Sequence, residues 1–241
     1  MARTFSVWGP NLRRRLTVSE KLWPDAVEFV HFLEQVAGES SVALLKLVWR
    51  GFDSLSADLQ NVDLAEPLDD LERDLTQLLE KRVRREMTGF EAFELQHGPY
   101  ERESRKAAPA QPPQYDLAFT LRANERIMWP LEAKVLVDPA WIGPYVADLE
   151  QQYLTFRYAP FSREGAMLGY LLSGDPVEVF TNLTLALGCS LATHSDFARR
   201  DHRISDHVRQ PPLGKAYPSD FRCHHMIFRL GLRKHHQAPP Q

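Results

Sequence analysis

Asp116, Glu132 and Lys134 are the residues whose types and spacing suit one piece of chemistry. Glu132 and Lys134 stand two apart in the run Arg126 to Val137, which is apolar at odd and even positions alike. Side chains alternate across an extended strand, so Ile127, Trp129, Leu131, Ala133, Val135 and Val137 point one way. Met128, Pro130, Glu132, Lys134 and Leu136 point the other. A strand apolar on both faces is a central strand covered on both sides. A carboxylate and an ammonium side by side in such a place are costly unless paired or used.

The preceding run, Tyr115 to Arg122, carries Leu117, Phe119 and Leu121 on one face and Asp116 at the head of the other. Fifteen residues separate Asp116 from Glu132, and a hairpin turning at Ala123–Asn124–Glu125 brings the two carboxylates to one end of a sheet. Two carboxylates and a strand carbonyl form an oxygen-rich site suited to Mg²⁺. An adjacent ammonium can orient a water and steady the charge that builds on a phosphate. Together these groups suit phosphodiester hydrolysis. A plainer reading makes Glu132 and Lys134 a surface pair and Asp116 a turn cap.

The runs QYDLAF (Gln114 to Phe119) and LEAKVL (Leu131 to Leu136) resemble the D…ExK signature of the PD-(D/E)XK nuclease superfamily. The order of helix, three strands, helix and strand from about Pro67 to Leu172 is similar to that family's core. One departure is that Tyr115, not proline, precedes Asp116. The resemblance implies a restriction-endonuclease-like fold and a Mg²⁺- or Mn²⁺-dependent nuclease acting on DNA. It further implies that Asp116 and Glu132 hold the metal and that Lys134 serves the attacking water. A role in prokaryotic defence against foreign DNA is a fold-level extension. The alternative is a non-catalytic nucleic-acid-binding or assembly subunit that retains the fold.

Many such nucleases add a glutamate from the helix before the first strand. Here that helix begins near Pro67 and carries Leu68, Leu71, Leu75, Leu78 and Leu79 on one stripe. At 100° per residue the stripe centres near Arg82 and Glu86, so Glu86 is the expected metal ligand, Glu72 a second candidate at its border, and Glu80 lies opposite. Gln152, on a helix opened by Pro144, is a further candidate beside the site. Tyr145, Tyr153 and Phe156 on that helix read as core aromatics.

The elements that must position these residues follow from periodicity. One helix runs from Pro24 to Gly38, a second from Val42 to Phe52, and the third ends near Gly89. Strands are expected at Phe90 to Leu95, in the hairpin, at Ala166 to Leu172 and at Cys223 to Leu230, with a helix from Pro176 to Leu191. The polar, proline-rich run Ser104 to Gln114 reads as a loop. The expected architecture is α/β: a mixed sheet flanked by helices, with an N-terminal helical extension over 1–65 and the main domain over 66–241.

Composition frames this reading. The 241 residues are 44% hydrophobic and 25% charged, the mix of an ordinary soluble domain. Two cysteines make no disulfide framework, no run reaches membrane-spanning length and the N-terminus lacks a signal-peptide core, so a cytoplasmic protein is expected. The net charge of −3 divides unevenly: Ser195 to Gln241 holds nine basic and four acidic residues (+5), and the rest holds 20 and 28 (−8). Arg199, Arg200, Arg203 and Arg209 (the last beside His207) are the candidates for touching phosphates in this basic end. Cys189, His194, Cys223, His224 and His225 are available to zinc but lack paired ligand spacing. With no separate DNA-reading domain in sight, a homo-oligomer or partner subunit is expected to supply specificity.

Overall fold

The structure, a computed structural model, describes residues 27–57, 59, 66–103, 112–215 and 217–230, with side chains from residue 40 on except 56 and 57. In chain order the elements are helix α1 (Val27–Asp53), helix α2 (Leu68–Glu86), strands β1 (Phe93–His97), β2 (Leu117–Leu121) and β3 (Met128–Leu136), and helix α3 (Gly143–Asp148). Strand β4 (Glu164–Leu171), helix α4 (Pro176–Leu187) and strands β5 (Ala192–Thr193), β6 (His202–Val208) and β7 (Asp220–Arg229) complete them. The protein is α/β, with a seven-stranded mixed sheet in the order β1-β2-β3-β4-β7-β6-β5 flanked by helices. Strands β1, β2 and β3 form an antiparallel meander, β4 lies parallel to β3 and β7, and β6 and β5 continue antiparallel.

Two apolar layers sandwich the sheet. On one face Leu71, Leu75, Leu79 and Val83 of α2, with Leu45 and Val48 of α1, pack on Phe119, Leu131, Ala133, Leu168 and Phe228. On the other, Tyr145 of α3 and Val179 and Leu183 of α4 pack on Met128, Leu136, Met167 and Ile227. The helix of the expected N-terminal extension thus shares its core with the sheet. Two helices expected before Phe52 are one: α1 continues through Gly38. A single interior glycine costs a helix about 1 kcal/mol, less than an unbroken hydrogen-bond ladder and tertiary packing supply. Gly51 is where α1 and α2 touch, since a Cβ there would stand 2.5 Å from Val83 Cγ2. The expected start at Pro24 and residues 104–111 of the expected loop Ser104 to Gln114 lie outside the described residues.

The last helix stops at Leu187, where Gly188 adopts φ 61° and closes it, four residues earlier than periodicity suggests. Strands β5 and β6 were not expected. The run His202–Val208 reads as polar, yet it pairs with β7 along its whole length.

Candidate functional site

Strand β3 outlasts its neighbour. Its odd residues face β2, with Leu131 opposite Leu117 and Trp129 opposite Phe119. Before Leu117 the chain leaves β3 and stays with the end of β1: Gly98 N–H donates to Asp116 O (2.9 Å) and Tyr115 N–H to Pro99 O (3.0 Å). The next N–H groups of β3 on that side, at Ala133 and Val135, therefore have no strand to meet. Carboxylates meet them instead. Ala133 N–H donates to Asp116 Oδ2 at 2.7 Å and Val135 N–H donates to Glu72 Oε2 at 3.0 Å.

Lys134 places its ammonium in this gap between the two helical layers. Nζ lies 3.0 Å from Glu72 Oε1 on α2, 3.1 Å from Asp148 Oδ2 at the end of α3, and 3.4 Å from Glu132 Oε1 on its own strand. Glu132 is 6% exposed, and among the described residues its Oε2 has no hydrogen-bond partner. Burial, then the neighbouring Asp116, holds the Glu132 carboxyl well above the usual carboxylate range. Burial likewise raises Asp116 and Glu72 against the opposing pull of Lys134. Burial pulls Lys134 down, but Glu132, Glu72, Asp116 and Asp148 outweigh it and keep the ammonium charged. Four carboxylates around one cation leave an excess of negative charge in a low-dielectric place.

The structure thus brings together Asp116, Glu132 and Lys134, and adds Glu72. It does not bring Glu86, whose carboxylate pairs with Arg50 of α1 at 3.4 Å. Angle on the helix was right and height was wrong: fourteen residues at 1.5 Å each put Glu86 about 21 Å along the axis from Glu72. Asp148 and Tyr158 were not foreseen. Asp148 is turned inward where α3 loosens into a π-helical turn, Leu149–Tyr153. The Tyr158 hydroxyl lies beside the Glu132 carboxyl and is held far above its ordinary range by burial and then by Glu132 and Asp116. Gln152 stands next to the site through its backbone, its carbonyl accepting the Tyr158 N–H at 2.8 Å. Tyr145, Tyr153 and Phe156 are core residues, as expected.

The basic candidates divide. Arg209 is 1% exposed and donates to the carbonyls of Ala159 (3.1 Å), Ser162 (2.9 Å) and Pro218 (3.1 Å), so it is an interior strut and no phosphate contact. Arg200 forms a two-pronged ion pair with Asp53 and lies over Trp49. Arg203 donates to His202 O and lies over the Phe180 ring. Arg199 is exposed. Of the zinc candidates, His194 and His224 stand with their rings 5.6 Å apart, but Cys223 falls on the opposite face of the sheet from His224. His224 instead accepts from or donates to His202 at 3.0 Å.

Oxygen donors only, with one buried oxygen unpartnered among the described residues, fit a hard divalent cation. Among the described residues no three acidic, histidine or cysteine side chains stand as a ready ligand set, since the Lys134 ammonium is what gathers Glu72, Glu132 and Asp148. Among the described residues no helix is long and apolar enough to cross a membrane. No family model, curated protein or solved structure matches the chain.

Proposed function

We propose that this protein is a metal-dependent phosphodiesterase of the PD-(D/E)XK kind, with a restriction-endonuclease-like fold and DNA as its substrate. One observation carries the reading: at the split between β2 and β3, a buried Glu132 oxygen without a partner among the described residues stands with Asp116, and the Lys134 ammonium lies beside them. The meander followed by a parallel β4 is consistent with that fold. Asp116 and Glu132 would hold Mg²⁺ or Mn²⁺, which supplies positive charge opposite a reacting phosphate. The protein's own groups have separate tasks. Asp116 is fixed through one oxygen by the Ala133 N–H, which leaves the other for a ligand. Glu72 and Asp148 hold the Lys134 ammonium beside Glu132, where it can orient a water and offset phosphate charge.

The test is cleavage of linear duplex, single-stranded and supercoiled DNA, with RNA as a comparison, in Mg²⁺, Mn²⁺ or chelator. Metal-dependent cutting of DNA, lost in Glu132→Ala and Lys134→Ala, is expected. Folded variants that cut as fast as the parent would overturn the reading.

A further inference from the structure

The chain from Tyr153 to Ser162 contains two non-glycine residues in left-handed backbone, Phe156 (φ 61°) and Ala159 (φ 52°). Such positions persist only where the surroundings hold them, and they collect at functional sites. Two clamps hold this segment. From one side the buried Arg209 guanidinium donates to the carbonyls of Tyr153 (3.4 Å), Ala159 (3.1 Å) and Ser162 (2.9 Å), and lies 4.1 Å over the Phe156 ring. From the other, Tyr115 Oη accepts the Ala159 N–H at 3.0 Å and donates to the buried Glu101. Gly165 makes room beside it, since a Cβ there would stand 2.7 Å from the Tyr153 ring.

Between the two left-handed residues lies Tyr158. Its ring packs on Tyr115 (4.5 Å) and Tyr153 (5.4 Å). Its hydroxyl donates to the carbonyl of Gln114, two residues ahead of Asp116, and its oxygen lies beside Glu132. A strained, doubly clamped segment thus ends in one hydroxyl that touches the backbone carrying the first carboxylate and borders the second.

We infer that Tyr158 is a positioning residue of the candidate site, locking the Gln114–Asp116 backbone so that the Asp116 carboxylate stays on the Ala133 N–H with its other oxygen turned toward Glu132. The inference rests on the nuclease reading. Losing the hydroxyl frees the chain at the head of β2 without emptying the core, because phenylalanine keeps the ring. Misplacement of a reacting group by about 1 Å is enough to cost up to about a hundredfold in rate.

The experiment compares the parent, Tyr158→Phe and Tyr145→Phe in duplex-DNA cleavage over a Mn²⁺ titration, with thermal unfolding of each in parallel. Tyr158→Phe is expected to lower kcat about ten- to a hundredfold and to raise the Mn²⁺ needed for half-maximal rate, with KM for DNA near the parental value. Tyr145→Phe removes a buried hydroxyl of the same core that meets Met167 O and His225, and is expected to cut at nearly the parental rate. Parental kcat in Tyr158→Phe overturns the inference. So does a loss that disappears when the variant is assayed well below its Tm, or an equal loss in a folded Tyr145→Phe. A parent that does not cut in any metal overturns the nuclease reading itself, a result distinct from all of these.

Discussion

Asp116 takes the place of a strand: its Oδ2 accepts the Ala133 N–H at 2.7 Å, where a residue of β2 would otherwise supply a carbonyl. Glu72 does the same one step on, at Val135. An unmet buried N–H is expensive, so the parting of β2 from β3 demands acceptors. Carboxylates that answer this demand are anchored by one oxygen each and collected at one edge. The gap that the parting opens is also where Lys134 emerges between α2 and α3. The candidate site is therefore a consequence of sheet topology as much as of residue type.

Glu132 is held at a cost to the fold. Its carboxyl is buried, with one oxygen partnerless among the described residues, and it is pushed above its ordinary range by burial and by Asp116. A raised carboxyl contributes stability that is present below the unfolded value and lost as pH rises through the folded one. Glu132→Gln removes that loss, so the variant is expected to be more stable than the parent at neutral pH by about 1–3 kcal/mol and to cut no DNA. The gain should shrink toward pH 4.5, the unperturbed value. Urea unfolding in chelator across this range checks it, and a variant less stable than the parent at pH 7 contradicts it.

Lys134 is the counter-ion of the same cluster, within 3.4 Å of three carboxylates. Lys134→Met leaves those charges facing one another in a largely buried site. Removing one partner of a buried ionic group costs about 3–5 kcal/mol. On the proposed reading millimolar Mn²⁺ would bind the folded state and should partly reverse the cost. Thermal scans with and without the metal measure both effects, and an unchanged Tm in chelator would remove the electrostatic account.

Much of this site was legible because strands announce themselves by alternation. The doubly apolar run around Glu132 marked a central strand, and the hairpin placed Asp116 at its end. The face of α2 was legible too, but a helical wheel contains no height, so Glu86 stood in for Glu72. Asp148 and Tyr158 come from a π-helical turn and a segment with left-handed phenylalanine and alanine, conformations that no residue type there signals. Strand β6 was hidden for a different reason. Its inward side chains are His202 and Ser205, which hydrogen-bond His224 and His225 respectively, so a partly buried strand spells a polar sequence.

Arg209 illustrates the same concealment and yields a third prediction. Burial pushes its guanidinium down to about 9, and its tip meets backbone carbonyls and the Phe156 and Phe221 rings. Arg209→Met strands several buried acceptors and is expected to cost about 3 kcal/mol or more. It should leave the salt dependence of nucleic-acid binding unchanged in slope, whereas loss of a phosphate contact lowers that slope by about one. Binding measured across a salt series, with unfolding curves alongside, separates the two.

The histidines beneath α1 give the last prediction. Trp49 Nε1–H can only donate, and it reaches His202 Nδ1 at 3.3 Å. The proton of His202 is therefore on Nε2, donated to His224 Nδ1 at 3.0 Å, and His224 turns Nε2–H toward Glu164 at 3.5 Å. Burial, then His224 and His194, pushes His202 down to about 2. A histidine depressed in the folded state contributes stability that is present above its unfolded value of 6.5 and lost as pH falls toward the folded one. Glu101, raised by burial to about 7, acts in the opposite sense between 4.5 and 7, so the parent's own curve mixes the two. Differences isolate each group. His202→Gln, whose side-chain oxygen can still accept from Trp49, should gain on the parent by about 1.4 kcal/mol per pH unit as pH falls below 6.5. Glu101→Gln should gain on it as pH rises from 4.5 to 7. Urea titrations at half-unit steps read both slopes, and a His202→Gln difference that does not vary with pH would mean that His202 takes up its proton as readily folded as unfolded.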